Sequence, residues 1–269
     1  MTRTAPSTWE TMPALMYHSV SAVRGPLGDL AVPPERLAEH LHALTAAGYR
    51  LVGLSAALDL LAAGTPDRLI AITFDDGYRD FLTDGVPVLA AAGASATLYA
   101  SVGHLGEQAG WLGRWSPDFG RMLTWDELAE VAAAGVEIGN HGLIHHPLDV
   151  LPPAQSRDEI VRGHDQLEQR LGVPVRSFAY PHGYHDRRVR DQVRTAGHDN
   201  ATEVGRRLHR PRTDRFAVPR LQPTPGHTGA DLVALVGGGS ELLPRLKHLA
   251  QPAWRVVRRA ARRAGRNLT

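Results

Sequence analysis

Apolar residues recur at helical spacing in several stretches of the chain, and a glycine and a strand-like run follow each of them. The predicted helices cover 34–47, 81–92, 124–134 and 186–196, and they end at Gly48, Gly93, Gly135 and Gly197. Glycine is favoured just past a last helical turn because it adopts the left-handed backbone conformation at little cost. The pattern therefore predicts a repeated helix–strand unit.

Further apolar runs predict additional strands at 14–18, 69–76, 136–141, 176–181 and 216–221. Strands that alternate with helices of ten to fifteen residues are typical of parallel sheets. About seven such units favour a closed arrangement over an open sheet. We therefore predict an α/β fold, a distorted and incomplete (β/α)7 barrel, in which catalytic side chains lie where strands end.

The character of the chain changes near its C-terminal end. A run of three glycines, Gly237, Gly238 and Gly239, predicts a flexible joint. The segment 245–269 then carries eight Lys and Arg and no acidic residue, with apolar residues at helical spacing. We expect one domain over 1–236 and, over 237–269, a joint with a basic amphipathic helix. That tail is predicted to bind an anionic membrane surface or, alternatively, to form a solvated or packed surface helix.

Composition narrows the class of protein. The 269 residues are 43% hydrophobic, which is enough for one sizeable core. The absence of cysteine excludes disulfides and thiolate zinc sites. Residues 1–20 lack the apolar run of a signal peptide, and no apolar stretch reaches membrane-spanning length. These features predict a cytoplasmic protein, peripheral to a membrane at most, with no nucleic-acid partner.

Two adjacent carboxylates, Asp75 and Asp76, end a predicted strand and precede Gly77. Two like charges held together are unfavourable unless a cation or a proton intervenes. A divalent metal bound by one carboxylate would leave the other free to act as a base. An ordinary Asp-Gly turn is the alternative interpretation.

Three histidines follow the strand at 136–141, namely His141, His145 and His146. Positions i and i+4 share one face of a helical turn, which would present His141 and His145 to one metal. His146 competes with His145, and a histidine-rich loop is the alternative. One Asp and two His leave an open position, as in catalytic Zn²⁺ sites, and Co²⁺, Ni²⁺ or Mn²⁺ would accept the same ligands.

Two further strand ends carry polar residues. His18 follows the first strand and would be a natural proton donor near neutral pH, although a lone histidine there is more often structural. The turn of Tyr180, Pro181, His182 and Gly183 would offer backbone amides to an oxyanion, or it simply ends the strand.

Three motifs, in this order along the chain, resemble the polysaccharide deacetylase family, that is, the NodB-homology domains or family 4 carbohydrate esterases. They are TFDDGY at 73–78, EIGNHGLIHHPLDVL at 137–151 and RSFAYPHG at 176–183. The resemblance covers roughly 12–225. It implies a distorted (β/α) barrel in which Asp75 is the catalytic base and a metal is bound by Asp76, His141 and His145.

The third motif departs from the common family form. Ala179 stands where many members have an arginine that tunes the base, and FAYPxG resembles the biofilm-polysaccharide deacetylase subgroup. That subgroup takes its catalytic acid from an N-terminal Tyr-His motif, which implies His18 here, with His227 as the rival. Arg220 is expected to replace the missing arginine in part.

The resemblance implies a metal-dependent hydrolase that acts on linear amide bonds. Its expected substrate is an N-acylated carbohydrate, from which it removes an N-acetyl or N-formyl group on an amino sugar of a glycan or lipid-linked saccharide. Alternatives are an inactive glycan-binding module on the same fold, another metal-dependent amidase or esterase, and a metal phosphoesterase. Aromatic residues in 110–125 would stack on sugar rings or cover the barrel.

Overall fold

Parallel strands form the centre of the protein. The computed structural model describes residues 11–210 and 213–238. Within these residues a sheet of eight strands has only parallel pairings. The strands are β1 (Ala14–Tyr17), β2 (Tyr49–Val52), β3 (Arg68–Phe74), β4 (Thr97–Ala100), β5 (Glu137–Asn140), β6 (Ser177–Ala179), β7 (Asn200–Glu203) and β8 (Val218–Pro219).

The sheet curves into a nearly closed barrel. Its continuous path runs β1-β3-β4-β5-β6-β7-β8, and β2 pairs with the first half of β3. The two ends of this path meet at a seam where Leu15 and Leu221 form an isolated bridge. There the Met16 amide donates to Leu221 O and the Leu221 amide to Ala14 O, both at 2.8 Å. The predicted distorted and incomplete barrel is confirmed, with seven strands on the path around it.

Helices connect the strands and cover the outside of the barrel. In the described part of the chain they are α1 (Pro34–Ala46), α2 (Leu54–Ala62), α3 (Val86–Ala91), α4 (Trp125–Ala133), α5 (Pro153–Leu171), α6 (Arg187–Thr195) and α7 (Gly229–Val236). A π-helical turn, Phe81–Gly85, precedes α3, and 3-10 segments span Gly28–Leu30, Val102–His104, Gly110–Phe119, Leu148–Val150 and Pro181–Gly183. Each glycine predicted to end a helix has a positive φ (Gly48 83°, Gly93 60°, Gly135 86°, Gly197 105°), as such a cap requires.

Side chains on the two faces of the strands belong to two different apolar clusters. Ile70, Ile72 and Phe74 of β3 pack outward in the large cluster that includes the buried face of α1. Leu69 and Ala71 belong to a second cluster inside the barrel, with Ala14, Tyr99 and Val218. Because side chains alternate between faces, the next inward position after β3 is 75 and the next after Val218 is 220. Strand parity therefore directs Asp75 and Arg220 toward the same interior.

No helix among the described residues is long and apolar enough to cross a membrane. The predicted basic helix lies in 239–269, outside the described residues. Its expected binding to an anionic surface therefore stays a prediction.

The interior leaves no room for a larger residue at Gly139 of β5. A Cβ built there would lie 2.4 Å from Cδ1 of Tyr99 and 3.1 Å from Ser177 O. We expect Gly139→Ala to lower the free energy of unfolding by about 1–3 kcal/mol, because a packed core cannot absorb the extra atom. Urea denaturation measures the change.

The matched control for this variant is Gly226→Ala. Gly226 is exposed, and the nearest atom to an added Cβ is Thr224 Oγ1 at 3.7 Å, an ordinary contact. Its stability should stay within about 0.5 kcal/mol of the parent protein. Equal stabilities for the two variants would contradict the tight packing of Tyr99.

Candidate active site

Two buried carboxylates diverge at the end of β3. The Asp75 amide donates to Tyr17 O at 2.9 Å, which continues the β1–β3 pairing by one residue. Asp76 then adopts a φ of 75° and Gly77 a φ of 94°. This left-handed turn is costly for a residue with a Cβ, and its effect is to aim two adjacent side chains at different partners.

Arg220 is the partner of Asp75. Its Nη1 and Nη2 donate to Oδ1 and Oδ2 of Asp75 at 2.5 and 2.7 Å, and Nη1 also donates to Thr73 Oγ1 at 3.0 Å. Both residues of this bidentate pair are almost fully buried. Burial acts to raise the pKa of Asp75, but the guanidinium outweighs it and holds that pKa below its usual value. Asp75 is therefore ionised at neutral pH.

Asp76 lies beside two histidines. Its Oδ1 is 3.4 Å from Nε2 of His141 and 3.3 Å from Nε2 of His145. Each of these three buried residues offers one ligand atom, and the three atoms lie within 4.8 Å of one another. The orientation of the His141 ring is fixed by its other nitrogen, because Nδ1 is 2.8 Å from Ala179 O. The sequence-predicted ligands are thus together in one cavity.

The chemistry of these three groups fits a cation. A carbonyl only accepts hydrogen bonds, so Nδ1 of His141 carries the proton and a neutral His141 turns the lone pair of Nε2 toward Asp76. Asp76 Oδ1 has no hydrogen-bond partner among the described residues, since both imidazole contacts exceed normal hydrogen-bond length. Burial acts to lower the pKa of His141, but Asp76 and Asp75 outweigh it and raise that pKa. Burial lowers the pKa of His145 instead, so the pKa directions of the two imidazoles differ, and within the described residues it is the unpartnered oxygen of Asp76 that a bound cation would satisfy.

The geometry separates His145 from His146. His145 has a φ of 55° and turns inward to Asp76, whereas Nδ1 of His146 lies 3.2 Å from Oε1 of Glu159. The expectation of a helical turn over 141–145 was wrong, because this segment is an irregular loop. The two imidazoles converge through positive φ at Gly142 and His145 rather than through helical periodicity.

His18 lies directly after β1 and is half-buried. Burial lowers its pKa, while the charges of Asp76 and Asp75 act to raise it, so His18 lies within electrostatic range of both carboxylates. The rival His227 is engaged elsewhere: its Nδ1 accepts from the Thr224 amide at 2.9 Å, and its carbonyl is 2.8 Å from His40 Nε2. The structure thus brings His18, and not His227, to the carboxylates.

Sequence reasoning missed Asp80, which supports the loop after His18. Its carboxylate accepts hydrogen bonds from the Ser19 hydroxyl and the Val20 amide. Asp80 is five residues beyond Asp75, so it ties the loop of the proposed acid to the loop of the carboxylates. The available signal was an acidic residue two positions after the TFDDGY motif of 73–78.

Fewer backbone amides of the predicted oxyanion turn can donate to an oxyanion than expected. The Tyr180 amide donates to Thr202 O at 3.1 Å and its hydroxyl to Phe216 O at 2.9 Å, so Tyr180 serves the sheet and the core. Pro181 has no N–H. His182 has a φ of 58°, and its ring centroid lies 4.6 Å from that of His145. Of these three residues, His182 alone can offer an amide donor.

One aromatic residue of the predicted sugar-stacking segment reaches the histidines. The ring of Trp111 stacks on His145 with centroids 4.2 Å apart, and His104 meets its edge at 5.0 Å. Phe119, from the same segment, stacks on Tyr78 instead. The segment therefore covers the barrel end and places Trp111 against a candidate ligand, while sugar stacking stays a prediction.

The fold is shared with solved carbohydrate deacetylases. Streptococcus pyogenes PplD, solved in complex with acetate, aligns with a TM-score of 0.73 at 20% identity over 84% of this chain and 98% of its own. IcaB from Ammonifex degensii aligns with a TM-score of 0.71 at 25% identity over 86% and 99%. These likenesses define the class of barrel.

Sequence comparison then gives the family. The polysaccharide deacetylase family model matches residues 62–201. YxkH of Bacillus subtilis (strain 168), which is named provisionally as a polysaccharide deacetylase, is 26% identical over 230 residues, or 84% of this chain and 76% of its own. The chain belongs to the polysaccharide deacetylase family.

We expect the metal-free protein to bind one divalent cation through Asp76, His141 and His145. Asp76→Ala should weaken Zn²⁺ binding by roughly a hundredfold or more, because it removes the anionic ligand from a buried site. Competition titration against a chromophoric chelator measures this affinity.

The matched control is His146→Ala, which removes the neighbouring imidazole that faces Glu159. It removes no candidate ligand atom and leaves the two backbone contacts of Glu159 in place, so it should lose far less affinity than Asp76→Ala. A large loss in His146→Ala and none in Asp76→Ala would reverse the proposed ligand set. Binding should also weaken as the pH falls, because protons compete for the same lone pairs.

Proposed function

We propose that the protein is a metal-dependent hydrolase that removes an N-acetyl or N-formyl group from an amino sugar of a glycan or lipid-linked saccharide. The proposal rests on one observation. Asp75, which is paired with Arg220, lies beside the buried cluster of Asp76, His141 and His145. This arrangement lies in a barrel of the polysaccharide deacetylase family. Metal-assisted amide hydrolysis requires a general base next to a metal site.

The metal site is assigned to Asp76, His141 and His145. Two nitrogens and one oxygen suit Zn²⁺ best, and Co²⁺, Ni²⁺ or Mn²⁺ would bind the same set. A divalent cation bound there would acidify a water molecule and polarise the acyl carbonyl. The Ala179 carbonyl would keep His141 in the tautomer that leaves Nε2 free for ligation.

Asp75 is assigned as the general base. It is ionised, and each of its oxygens keeps a second lone pair beyond the one that Arg220 occupies. A carboxylate whose pKa is lowered is a weaker base, so it accepts a proton more readily from a donor that is already acidic. The base and the cation site therefore depend on each other, which favours their placement side by side.

His18 is assigned as the general acid that protonates the leaving amine. It lies within electrostatic range of both carboxylates, and the loop that follows it is held by Asp80. An imidazole delivers a proton near neutral pH, whereas an amide nitrogen leaves only when protonated. The His182 amide is the remaining candidate donor to the oxyanion, since Tyr180 and Pro181 are excluded as donors.

The substrate is assigned by class as an N-acylated carbohydrate. Support comes from the family and from the likeness to IcaB, which reaches 25% identity. The rival function is a glycan-binding module without turnover. The intact Asp75–Arg220 pair favours the enzyme, because a buried ion pair is costly to retain without a role.

Acetate release from Zn²⁺-loaded protein tests this function. Chitooligosaccharides and N-formylated amino sugars, free and lipid-linked, form the substrate panel. Asp75→Asn should abolish turnover and keep the metal, because it removes the proton acceptor and leaves all three candidate ligands in place. His18→Ala should lower kcat by about 10²–10⁴-fold with metal affinity unchanged.

The matched control for the acid is His227→Ala, which should keep the parent kcat. Retained turnover in Asp75→Asn would refute the base assignment. Tight oligosaccharide binding with no release of acetate or formate from the metal-loaded parent protein would favour the binding module instead.

The pH dependence of kcat/KM tests the role of Arg220. Asp75 acts as a carboxylate, and Arg220 holds its pKa low, so activity persists into mild acid. In Arg220→Met, the main group that opposes burial is lost and only His141 and His18 of the described residues still act to lower the pKa of Asp75, so that pKa rises and the acid limb of the profile moves to higher pH. Activity should fall more at pH 5.5 than at pH 8, measured with the metal content verified at each pH.

Arg220→Lys is the conservative comparison, because it keeps the positive charge but not the bidentate geometry. We expect a smaller displacement of the acid limb than in Arg220→Met. An Arg220→Met profile that keeps its shape and is merely scaled down would show that Arg220 does not set the pKa of the base.

A further inference from the structure

The loop that carries both candidate histidine ligands has an unfavourable backbone. It spans 141–147 between β5 and the next 3-10 segment and contains no regular helix or strand. Gly142 has a φ of 78° and His145 a φ of 55°. The left-handed conformation costs a histidine on the order of 1–2 kcal/mol, so neighbouring contacts must hold the loop in place.

A single buried carboxylate contacts this loop on both sides of His145. Glu159 lies on α5, and its Oε2 accepts the amides of Leu143 and Ile144, each at 2.9 Å. Its Oε1 lies 3.2 Å from Nδ1 of His146. Glu159 is 6% exposed, so these charge-assisted contacts are shielded from water.

The same turn of α5 also holds the start of the loop. Asn140 Oδ1 accepts the Gly142 amide at 2.8 Å, and Asn140 Nδ2 donates to Ile160 O at 2.9 Å. Ile160 directly follows Glu159, so consecutive residues of one helix fix the two halves of the loop. Since α5 packs on the barrel, the loop is held to the rigid part of the fold.

We propose that Glu159 is a positioning residue that holds the imidazole of His145 close enough to Asp76 for both side chains to bind one metal ion. With Leu143, Ile144 and His146 bound to one carboxylate, the side chain between them is forced toward the cavity. The same contact turns His146 away, so Glu159 decides which of the two adjacent histidines faces Asp76. This inference rests on the proposed metal site and adds to it a residue with no ligand atom of its own.

The consequence is a lower metal affinity without Glu159. Outer-shell partners of metal ligands typically contribute 10–100-fold to affinity, because they hold the ligand in place before the metal arrives. Glu159→Leu should weaken Zn²⁺ binding to the metal-free protein by that factor. Glu159→Gln keeps an oxygen for the two amides and a donor for His146, so it should stay within about threefold of the parent.

The matched control is Asp158→Leu on the same helix. Asp158 is exposed and pairs only with Arg162 among the described contacts, at 3.3 Å. It should leave Zn²⁺ affinity unchanged. If Glu159→Leu does not fold, as judged by circular dichroism, Glu159→Asp replaces it. Its shorter carboxylate cannot span both sets of contacts, and roughly tenfold weaker binding is expected.

The visible absorption of the Co²⁺-loaded proteins provides a second readout, because its bands report the ligand set rather than stability. We expect altered bands in Glu159→Leu or Glu159→Asp and parental bands in Asp158→Leu and Glu159→Gln. Parental affinity and bands in the Leu and Asp variants would overturn the inference about Glu159. A parent protein that binds no metal would instead overturn the proposed function and this inference with it.

Discussion

Two adjacent carboxylates buried at the end of one strand are the constraint on which this site depends. Neither Asp75 nor Asp76 is stable there as an anion without its own partner. Asp75 takes the guanidinium of Arg220, which lies 145 positions away in the chain. Asp76 takes two imidazoles and, in the proposed function, a divalent cation. Dividing the two negative charges in this way separates a base from a ligand.

The barrel makes this division geometrically feasible. Strand parity brings Asp75 and Arg220 into the interior from β3 and β8, on opposite sides of the seam that β1 closes. The left-handed turn at Asp76 then sends the second carboxylate to the loop after β5. Because that loop has no regular structure, its shape comes from α5 through Glu159 and Asn140. The rigid elements therefore position a site made almost entirely of loop residues.

These contacts also explain how a weak base would serve the proposed reaction. Arg220 keeps Asp75 ionised and fixed in orientation, at the cost of basicity. In the proposed reaction such a base acts beside a cation and a separate acid, and His18 lies directly after β1, within electrostatic range of both carboxylates. The family assignment supports a deacetylase, and the hydrolysis proposed above uses this geometry.

The sequence by itself determined the strands, four of the helices, the barrel and the motif residues, because helical periodicity, strand alternation and glycine caps are local properties. The helices α2, α5 and α7 were not predicted. The sequence could not determine that 141–145 is a loop, that Tyr180 serves the core, or that His145 and His146 point apart. Those outcomes depend on α5 and β7, whose contacts with these residues form only after the barrel closes. The sequence suggested Arg220 only through the family resemblance, and its bidentate pairing with Asp75 required tertiary structure, because no local pattern reports which distant residue reaches a strand end.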